Sequence, residues 1–301
     1  MKYAAVDMGS NSMRLSVYDA QESGDFDLIF SEKRMAGLAN YIEYGSLSRK
    51  GIEVACEILQ SFQWILRHFN INDMHVFATA SLRNIKNTEE AVKDIFTKTD
   101  IKVDVISGEE EAELGYYGAM ASCDENLGAM FDIGGGSTEI TSIKNGEIES
   151  AESVGIGSLN LFNKFVSKIW PDKAEMKQIK DYIVSELSNV NMPNEKSECI
   201  GGIGGTARAV LKISNFYFDR PDSNRYIYLD ELKEISGVLT ARKGSARKLI
   251  LKNCPDRVHT ILPGIIIMNT LCKRICSDKI FISKYGVREG YLCRRLLKHS
   301  T

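Results

Sequence analysis

The stretch Asp7-Met8-Gly9-Ser10-Asn11-Ser12-Met13-Arg14-Leu15 aligns without gaps on Asp132-Ile133-Gly134-Gly135-Gly136-Ser137-Thr138-Glu139-Ile140. Aspartate, glycine, serine and apolar positions coincide. In each copy an apolar run delivers an aspartate to the end of a strand, a turn of small residues follows, and an alternating strand returns. Two copies about 125 residues apart predict a duplicated unit, with two similar domains facing each other across a cleft.

Around the first copy, residues 3–19 read as strand, tight turn, strand, and 26–32 as a third strand. Ser48 caps a helix over 49–68, where Ile52, Ala55, Leu59, Phe62 and Leu66 recur at helical spacing. A strand over 74–79, a helix over 88–97, a strand over 103–106 and a helix over 108–121 follow. Around the second copy, strand, turn and strand continue into a hairpin at Asn145-Gly146. Helices are predicted over 158–167 and 173–187, a strand over 199–203, then a helix from Gly204. Further helices span 230–239, 247–251 and 260–273, with a strand over 279–283 and a closing helix over 287–299. Strands with intervening helices make the chain α/β.

The length of 301 residues suits roughly two domains, and 44% hydrophobic residues suffice for sizeable cores. Lysine plus arginine (38) nearly balances aspartate plus glutamate (40), for a net charge of −2. That balance leaves no overall footprint for duplex nucleic acid or an anionic membrane, although a local basic cleft survives such averaging. The apolar run over 261–271 is about half a membrane span, and Pro263 and Gly264 interrupt it. Asp7 arrives before a signal-peptide apolar region can develop, so a cytoplasmic location is expected. Seven cysteines without a C-x-x-C pair read as reduced thiols, with Cys272 and Cys276 as buried ones. The histidines at 68, 75, 259 and 299 form no H-E-x-x-H pattern, which disfavours histidine-based metallohydrolase chemistry.

Glycine-serine turns expose backbone N–H groups and hydroxyls, and such concavities hold phosphate oxygens. The candidates are Gly9-Ser10-Asn11-Ser12, Gly134-Gly135-Gly136-Ser137-Thr138, Gly204-Gly205-Thr206 and Gly155-Ile156-Gly157-Ser158, the last before a helix. Four on one chain predict a polyphosphate or nucleotide cleft, although a hairpin turn also wants glycine. None matches the P-loop or the dinucleotide fingerprint. A polyanion needs a hard cation, so Asp7, Asp132 and Glu139 are read as magnesium ligands. The competing reading is that they hydrogen-bond the turn backbone. Arg14 and Arg83 stand beside polar turns with forks that match phosphate, or as solvated arginines. The cluster Glu109-Glu110-Glu111 supplies a general base for an attacking water. Adjacent helical residues diverge by about 100°, so only one faces the cleft, and spacing leaves open which.

The segments AAVDMGSNSMRLSVYD (4–19), ATASLRN (78–84), ISGEEEAELGYYG (106–118), FDIGGGSTEI (131–140), VGIGS (154–158), GIGGTARA (202–209) and YGVREG (285–290) occur in this order. Together they resemble the exopolyphosphatase and guanosine pentaphosphate phosphohydrolase (Ppx/GppA) family, from Ala4 to about Leu292. The resemblance implies two ribonuclease-H-like domains flanking a central cleft, as in the superfamily of actin, sugar kinases and heat-shock chaperones. The expected domains are 1–121 and 122–286, with the helix over 287–299 packing back on the first. It implies Glu111 as catalytic base with Glu110 beside it, and Asp132 and Glu139 at the magnesium and phosphate site. Gly9, Ser10, Asn11, Gly134, Gly135, Gly136, Ser137 and Thr138 match the family's phosphate turns, Arg83 its A-T-x-x-L-R arginine and Arg257 an arginine linked to nucleotide or polyphosphate binding. Arg34-Met35-Ala36-Gly37-Leu38 departs from its R-L-G-x-G pattern.

The expected activity is magnesium-dependent release of terminal orthophosphate from inorganic polyphosphate, with 5′-phosphate hydrolysis of pppGpp as a related reaction. The chain resembles the short two-domain form, for which shorter polyphosphates or pppGpp are the expected substrates. The competing expectations are a phosphotransferase of the same superfamily and a non-catalytic sensor of ppGpp or polyphosphate. Partners are polyphosphate or guanosine penta- and tetraphosphate, with neither duplex nucleic acid nor membrane, and a homodimer is left open.

Overall fold

The aspartates of the two sequence copies sit at equivalent places in two sheets. The structure, a computed structural model, describes residues 1–21, 25–192, 196–241 and 244–297. The first half contains β1 (Lys2–Met8), β2 (Ser12–Ala20), β3 (Phe26–Met35), the short hairpin β4 (Ile42–Glu43) and β5 (Ser46–Leu47), α1 (Arg49–His68), β6 (Met74–Ala78), α2 (Ala80–Arg83), α3 (Thr88–Thr99), β7 (Val103–Val105) and α4 (Gly108–Met120). The second contains β8 (Ala129–Ile133), β9 (Thr138–Lys144), β10 (Glu147–Val154), α5 (Ser158–Phe165), α6 (Lys173–Glu186), β11 (Cys199–Ile203), α7 (Gly204–Tyr217), β12 (Tyr226–Tyr228), α8 (Leu229–Thr240), α9 (Gly244–Asn253), α10 (Ile261–Ile275), β13 (Lys279–Ile282) and α11 (Val287–Tyr291).

The first sheet has the order β3-β2-β1-β6-β7 and the second β10-β9-β8-β11-β13, with β12 added at its edge. In both, the first three strands are antiparallel neighbours and the last two join in parallel. This is the ribonuclease-H-like topology, written twice. The register repeats too: Asp7 lies opposite Arg14, and Asp132 opposite Glu139. The central strand β1 carries Ala4, Ala5 and Val6, all fully buried, because helices cover both faces of a parallel centre.

Local chemistry explains the well-predicted elements. The Ser48 hydroxyl accepts from Gly51 N at 3.4 Å at the start of α1, whose buried stripe is Ile52, Ala55, Leu59, Phe62 and Leu66. Other elements differ from expectation. The strand predicted over 26–32 runs on to Met35, because Met35 pairs with Ser12 while its own side chain is exposed and breaks no pattern. The single turn α2 is held by a tertiary bond from the Ser81 hydroxyl to the Met8 carbonyl. The three residues of β12 pair with β13, too short a run for periodicity to reveal. The helix predicted over 287–299 is α-helical only to Tyr291 and becomes a π turn over Leu292–Leu296; positions 298 and 299, with His299, lie outside the described residues. Cys272 is buried as expected, but Cys276 is exposed at the left-handed end of α10 (φ 56°).

Two helices exchange sheets. After the first sheet, α4 lays Tyr116 and Ala119 against Met130, Ile143 and Phe281 of the second. After the second sheet, α11 and the π turn send Leu292 back against Ala5 and Tyr18 of the first, and Tyr291 against Phe77. The helices cross through glycine. A Cβ on Gly118 would overlap the Gly286 carbonyl, and one on Gly290 would overlap the Leu114 carbonyl. Among the described residues no helix is long and apolar enough to cross a membrane.

Gly290→Ala therefore destabilises the protein by about 1–3 kcal/mol, the usual scale of overpacking. Gly237→Ala, on α8 with nothing within 4 Å, stabilises it by about 0.5–1 kcal/mol. Urea unfolding of both variants checks the contrast, and a Gly290→Ala protein as stable as wild type would refute the crossing.

Candidate active site

The two repeated turns meet at the floor of a cleft between the sheets. Gly9 N donates to Ser12 O at 3.2 Å, and Gly134 N to Ser137 O at 3.0 Å, so both hairpins close identically. A Cβ on Gly136 would stand only 2.7 Å from Ser10 Oγ, so the turns abut. The segment that departs from R-L-G-x-G braces the first turn: Ala36 N and Gly37 N donate to Asn11 O at 3.1 and 2.9 Å. Among the described residues the N–H groups of Ser10, Asn11, Gly135 and Gly136 have no partner, which leaves them available to an anion.

The third turn, Gly204-Gly205, also faces the cleft. Gly204 has φ 80°, and a Cβ there would overlap the Asp132 carboxylate, so glycine alone lets α7 begin against that aspartate. The fourth turn departs from expectation. The start of α5 spends its N–H groups on the second turn: Ser158 N donates to Gly134 O at 2.9 Å and Leu159 N to Gly135 O at 3.0 Å. It buttresses the second turn rather than adding another set of open N–H groups. Thr138 and Thr206 are also withdrawn from the surface. The Thr138 hydroxyl donates to Ile156 O at 2.7 Å, and that of Thr206 accepts from Arg257 Nη1 at 3.3 Å.

Helix rotation separates the three glutamates at the start of α4, where the Ser107 hydroxyl accepts from Glu110 N at 3.0 Å. Glu109 is exposed. Glu110 turns away from the cleft and accepts from Arg295 Nε at 3.0 Å, which corrects its expected place beside the base. Glu111 alone enters the cleft. Its Oε2 accepts from Arg83 Nη1 at 2.7 Å. The other nitrogen of Arg83 reaches Glu139 Oε1 at 3.4 Å and Ser153 Oγ at 3.2 Å. Glu139 Oε1 also accepts from Ser137 Oγ at 2.6 Å and Ser153 Oγ at 2.7 Å. Arg83 and Glu139 thus form a support behind the cleft. Ser153 was invisible to motif reading, because only the β9–β10 register sets it opposite Glu139.

Burial governs the acids. It raises Glu111 well above the usual carboxylate range, with the Glu139 charge adding and Arg83 opposing. It raises Asp7, and it pushes Asp132 up to about 7, again with help from Glu139. A carboxyl raised by burial, as Glu111 is, suits a general base.

The expected three-carboxylate magnesium set does not assemble. Among the described residues no three histidine, cysteine or acidic side chains gather into a metal-binding group. Glu139 is taken by two hydroxyls and Arg83, whereas Asp7 and Asp132 both line the cleft beside the open turns. Two carboxylates completed by water and substrate phosphates suit magnesium, so Asp7 and Asp132 fit the ion and Glu139 does not.

Arg14 and Arg257 line the cleft as expected, and they are joined by Arg208, Arg288 and Lys33, which sequence reading did not assign. Arg208 lies in GIGGTARA and Arg288 in YGVREG, so the signal was their place inside quoted motifs.

Duplicated ribonuclease-H-like sheets around a cleft of glycine turns, acids and arginines define a phosphate-handling class of protein. The chain belongs to the Ppx/GppA phosphatase family, whose model matches residues 16–299. It is 27% identical to the bifunctional 3-dehydroquinate synthase/phosphatase of Fusobacterium nucleatum, over 93% of this chain but 44% of that protein. It is 22% identical to exopolyphosphatase 1 of Mycobacterium tuberculosis (strain ATCC 25618 / H37Rv), over 98% of this chain and 88% of that protein. It is 26% identical to the guanosine-5′-triphosphate,3′-diphosphate pyrophosphatase of Aeromonas hydrophila, over 96% of this chain and 58% of that protein. The crystal structure of the Aquifex aeolicus family member has a TM-score of 0.80 at 26% identity, covering 100% of this chain and 99% of that one.

Asp132 generates a testable pH dependence. A carboxyl raised to about 7 in the folded state keeps more protons than it does unfolded, so its contribution favours folding at low pH and is lost as pH rises towards 7. In chelator, Asp132→Asn should raise the melting temperature at pH 8 and change it little near pH 4. An equal shift at both pH values would contradict the burial of this acid.

Proposed function

We propose that this protein is a cytoplasmic, magnesium-dependent phosphoanhydride hydrolase that releases terminal orthophosphate from inorganic polyphosphate, with 5′-phosphate hydrolysis of pppGpp as a related reaction. The observation that carries the reading is Glu111, the one carboxylate of its cluster in the cleft, held at 2.7 Å by Arg83 and facing the phosphate turns. The names of the mycobacterial and Aeromonas relatives support the two substrates. Seven free cysteines are in keeping with a reducing compartment.

In this mechanism the N–H groups of Ser10, Asn11, Gly135 and Gly136 bind the oxygens of the terminal phosphoryl group. Glu111 accepts a hydrogen bond from water and orients it in line with the bond to be broken. The water oxygen bonds to phosphorus, its proton passes to Glu111, and the electron pair of the broken P–O bond leaves with the shortened chain. Magnesium bound through Asp7 and Asp132 would neutralise phosphate oxygens there. Arg83 holds the carboxylate in place, and Glu139 with Ser137 and Ser153 holds Arg83. Two domains, 1–121 and 122–286, bring these groups together, with the helical segment from 287 returning to the first.

Phosphate release from polyphosphate tests this directly, in magnesium or chelator and without a nucleotide acceptor. Wild type should turn over only with magnesium. Glu111→Gln should lower kcat by about 10²–10⁴-fold, the range for a general base, while keeping polyphosphate binding. A near-wild-type rate in the variant rejects the assignment, and a strict need for a nucleotide acceptor favours phosphotransfer instead.

A further inference from the structure

The motif YGVREG (285–290) opens α11, and neither the turns nor Glu111 nor the aspartate pair uses its charged residues. Glu289 is 3% exposed, yet both its oxygens are satisfied. Tyr18 OH on β2 donates to Oε1 at 2.6 Å, and Gly286 N donates to Oε2 at 2.8 Å. The carboxylate therefore ties the first turn of α11 to the opposite sheet. The next residue back, Arg288, lines the cleft, and its Nη1 donates to the buried Ser16 Oγ at 2.8 Å.

Arg288 belongs to a group with an unusual charge balance. Among the described residues Arg83 is salt-bridged to Glu111 and Glu139, but Arg14, Arg208, Arg257 and Arg288 have no carboxylate within salt-bridge distance. Their hydrogen bonds go to neutral groups: Arg14 to Ser31, Arg208 to the carbonyls of Ser283 and Lys284, Arg257 to Thr206 and Arg288 to Ser16. Of the nearby acids, Asp256 is paired with Lys33 at 2.6 Å and Glu289 with Tyr18, while Asp7 and Asp132 act on the group from beyond salt-bridge distance. Burial lowers Arg14 and Arg208, and the Arg288 charge lowers both further. Two carboxylates, Asp7 and Asp132, offset only part of four crowded guanidinium charges, which repel one another unless a further anion lies among them. One orthophosphate carries too little charge to answer all four, whereas a chain of linked phosphates does.

We propose that Arg288 binds the phosphates behind the one being transferred, and that Tyr18 and Glu289 position it. The inference rests on the polyphosphate reading above and deepens it: Glu111 does the chemistry, and the guanidinium groups select substrates with several linked phosphates. Tyr18 acts only through Glu289 and is a positioning residue.

Binding of inorganic tripolyphosphate, measured calorimetrically in chelator, tests this separately from turnover. Arg288→Ala should weaken tripolyphosphate about 10–100-fold, the equivalent of one lost charge-assisted hydrogen bond, and leave orthophosphate unchanged. With polyphosphate and magnesium, the same variant should raise KM about as much and keep kcat within about threefold. Arg288→Lys, which preserves the charge should the alanine variant fold poorly, recovers part of the binding. Tyr18→Phe should weaken tripolyphosphate about threefold, and the Tyr18→Phe/Arg288→Ala double variant should be no weaker than Arg288→Ala alone. Unchanged tripolyphosphate binding in Arg288→Ala, equal loss of orthophosphate, or multiplying effects in the double variant overturns the proposal. Wild type that binds tripolyphosphate through Arg288 but releases no phosphate overturns the hydrolase reading and leaves this one standing. Wild type that neither binds tripolyphosphate in chelator nor releases phosphate from polyphosphate with magnesium overturns both.

Discussion

Where α4 passes α11, backbone lies against backbone, and the cleft depends on that passage. Side chains on Gly118 or Gly290 would overlap the carbonyls of Gly286 and Leu114, so the helices meet only because glycine is there. The crossing carries each helix beneath the sheet of the other half, where Tyr116 and Leu292 find their apolar partners. It also places two charges. Glu111 enters the cleft about two helical turns before Gly118, and Arg288 lies between Gly286 and Gly290. One close contact between main chains thus sets the Glu111 carboxylate and a guanidinium relative to the glycine turns.

The cleft holds charges of both signs side by side. Its buried acids hold protons more tightly than usual, because desolvation and one another's charge disfavour ionisation. Beside them stand arginines without a salt-bridge partner among the described residues. Arg83 differs: paired with Glu111 and Glu139, it serves as scaffold. A whole-chain charge of −2 conceals this local cluster, since it averages over the whole surface.

Much of this was legible in the chain. The gapless repeat around Asp7 and Asp132 announced two like sheets, because a strand, a tight glycine turn and a returning strand are written in local residue types. The helix over 49–68 was legible to the residue, since its cap and its apolar stripe both lie within it. Less local features escaped. The α2 turn rests on a bond from Ser81 to Met8, β12 on pairing with β13, and Ser153 on a register between strands. Thr138 and Glu139 sit in the most phosphate-like motif of the chain, yet their side chains face Ile156 and Arg83.

The sequence by itself determined the duplicated α/β architecture, the glycine turns and the short list of acids and arginines, because periodicity and turn chemistry act between near neighbours. Only the tertiary structure decided which of those groups share a space. It took Glu111 and left Glu110 to Arg295, withdrew Glu139 behind Arg83, and brought Arg288 across from the other sheet. The reason is physical: a side chain's neighbours across a cleft are set by helix rotation, strand register and one glycine crossing. None of these is a property of a short stretch of chain.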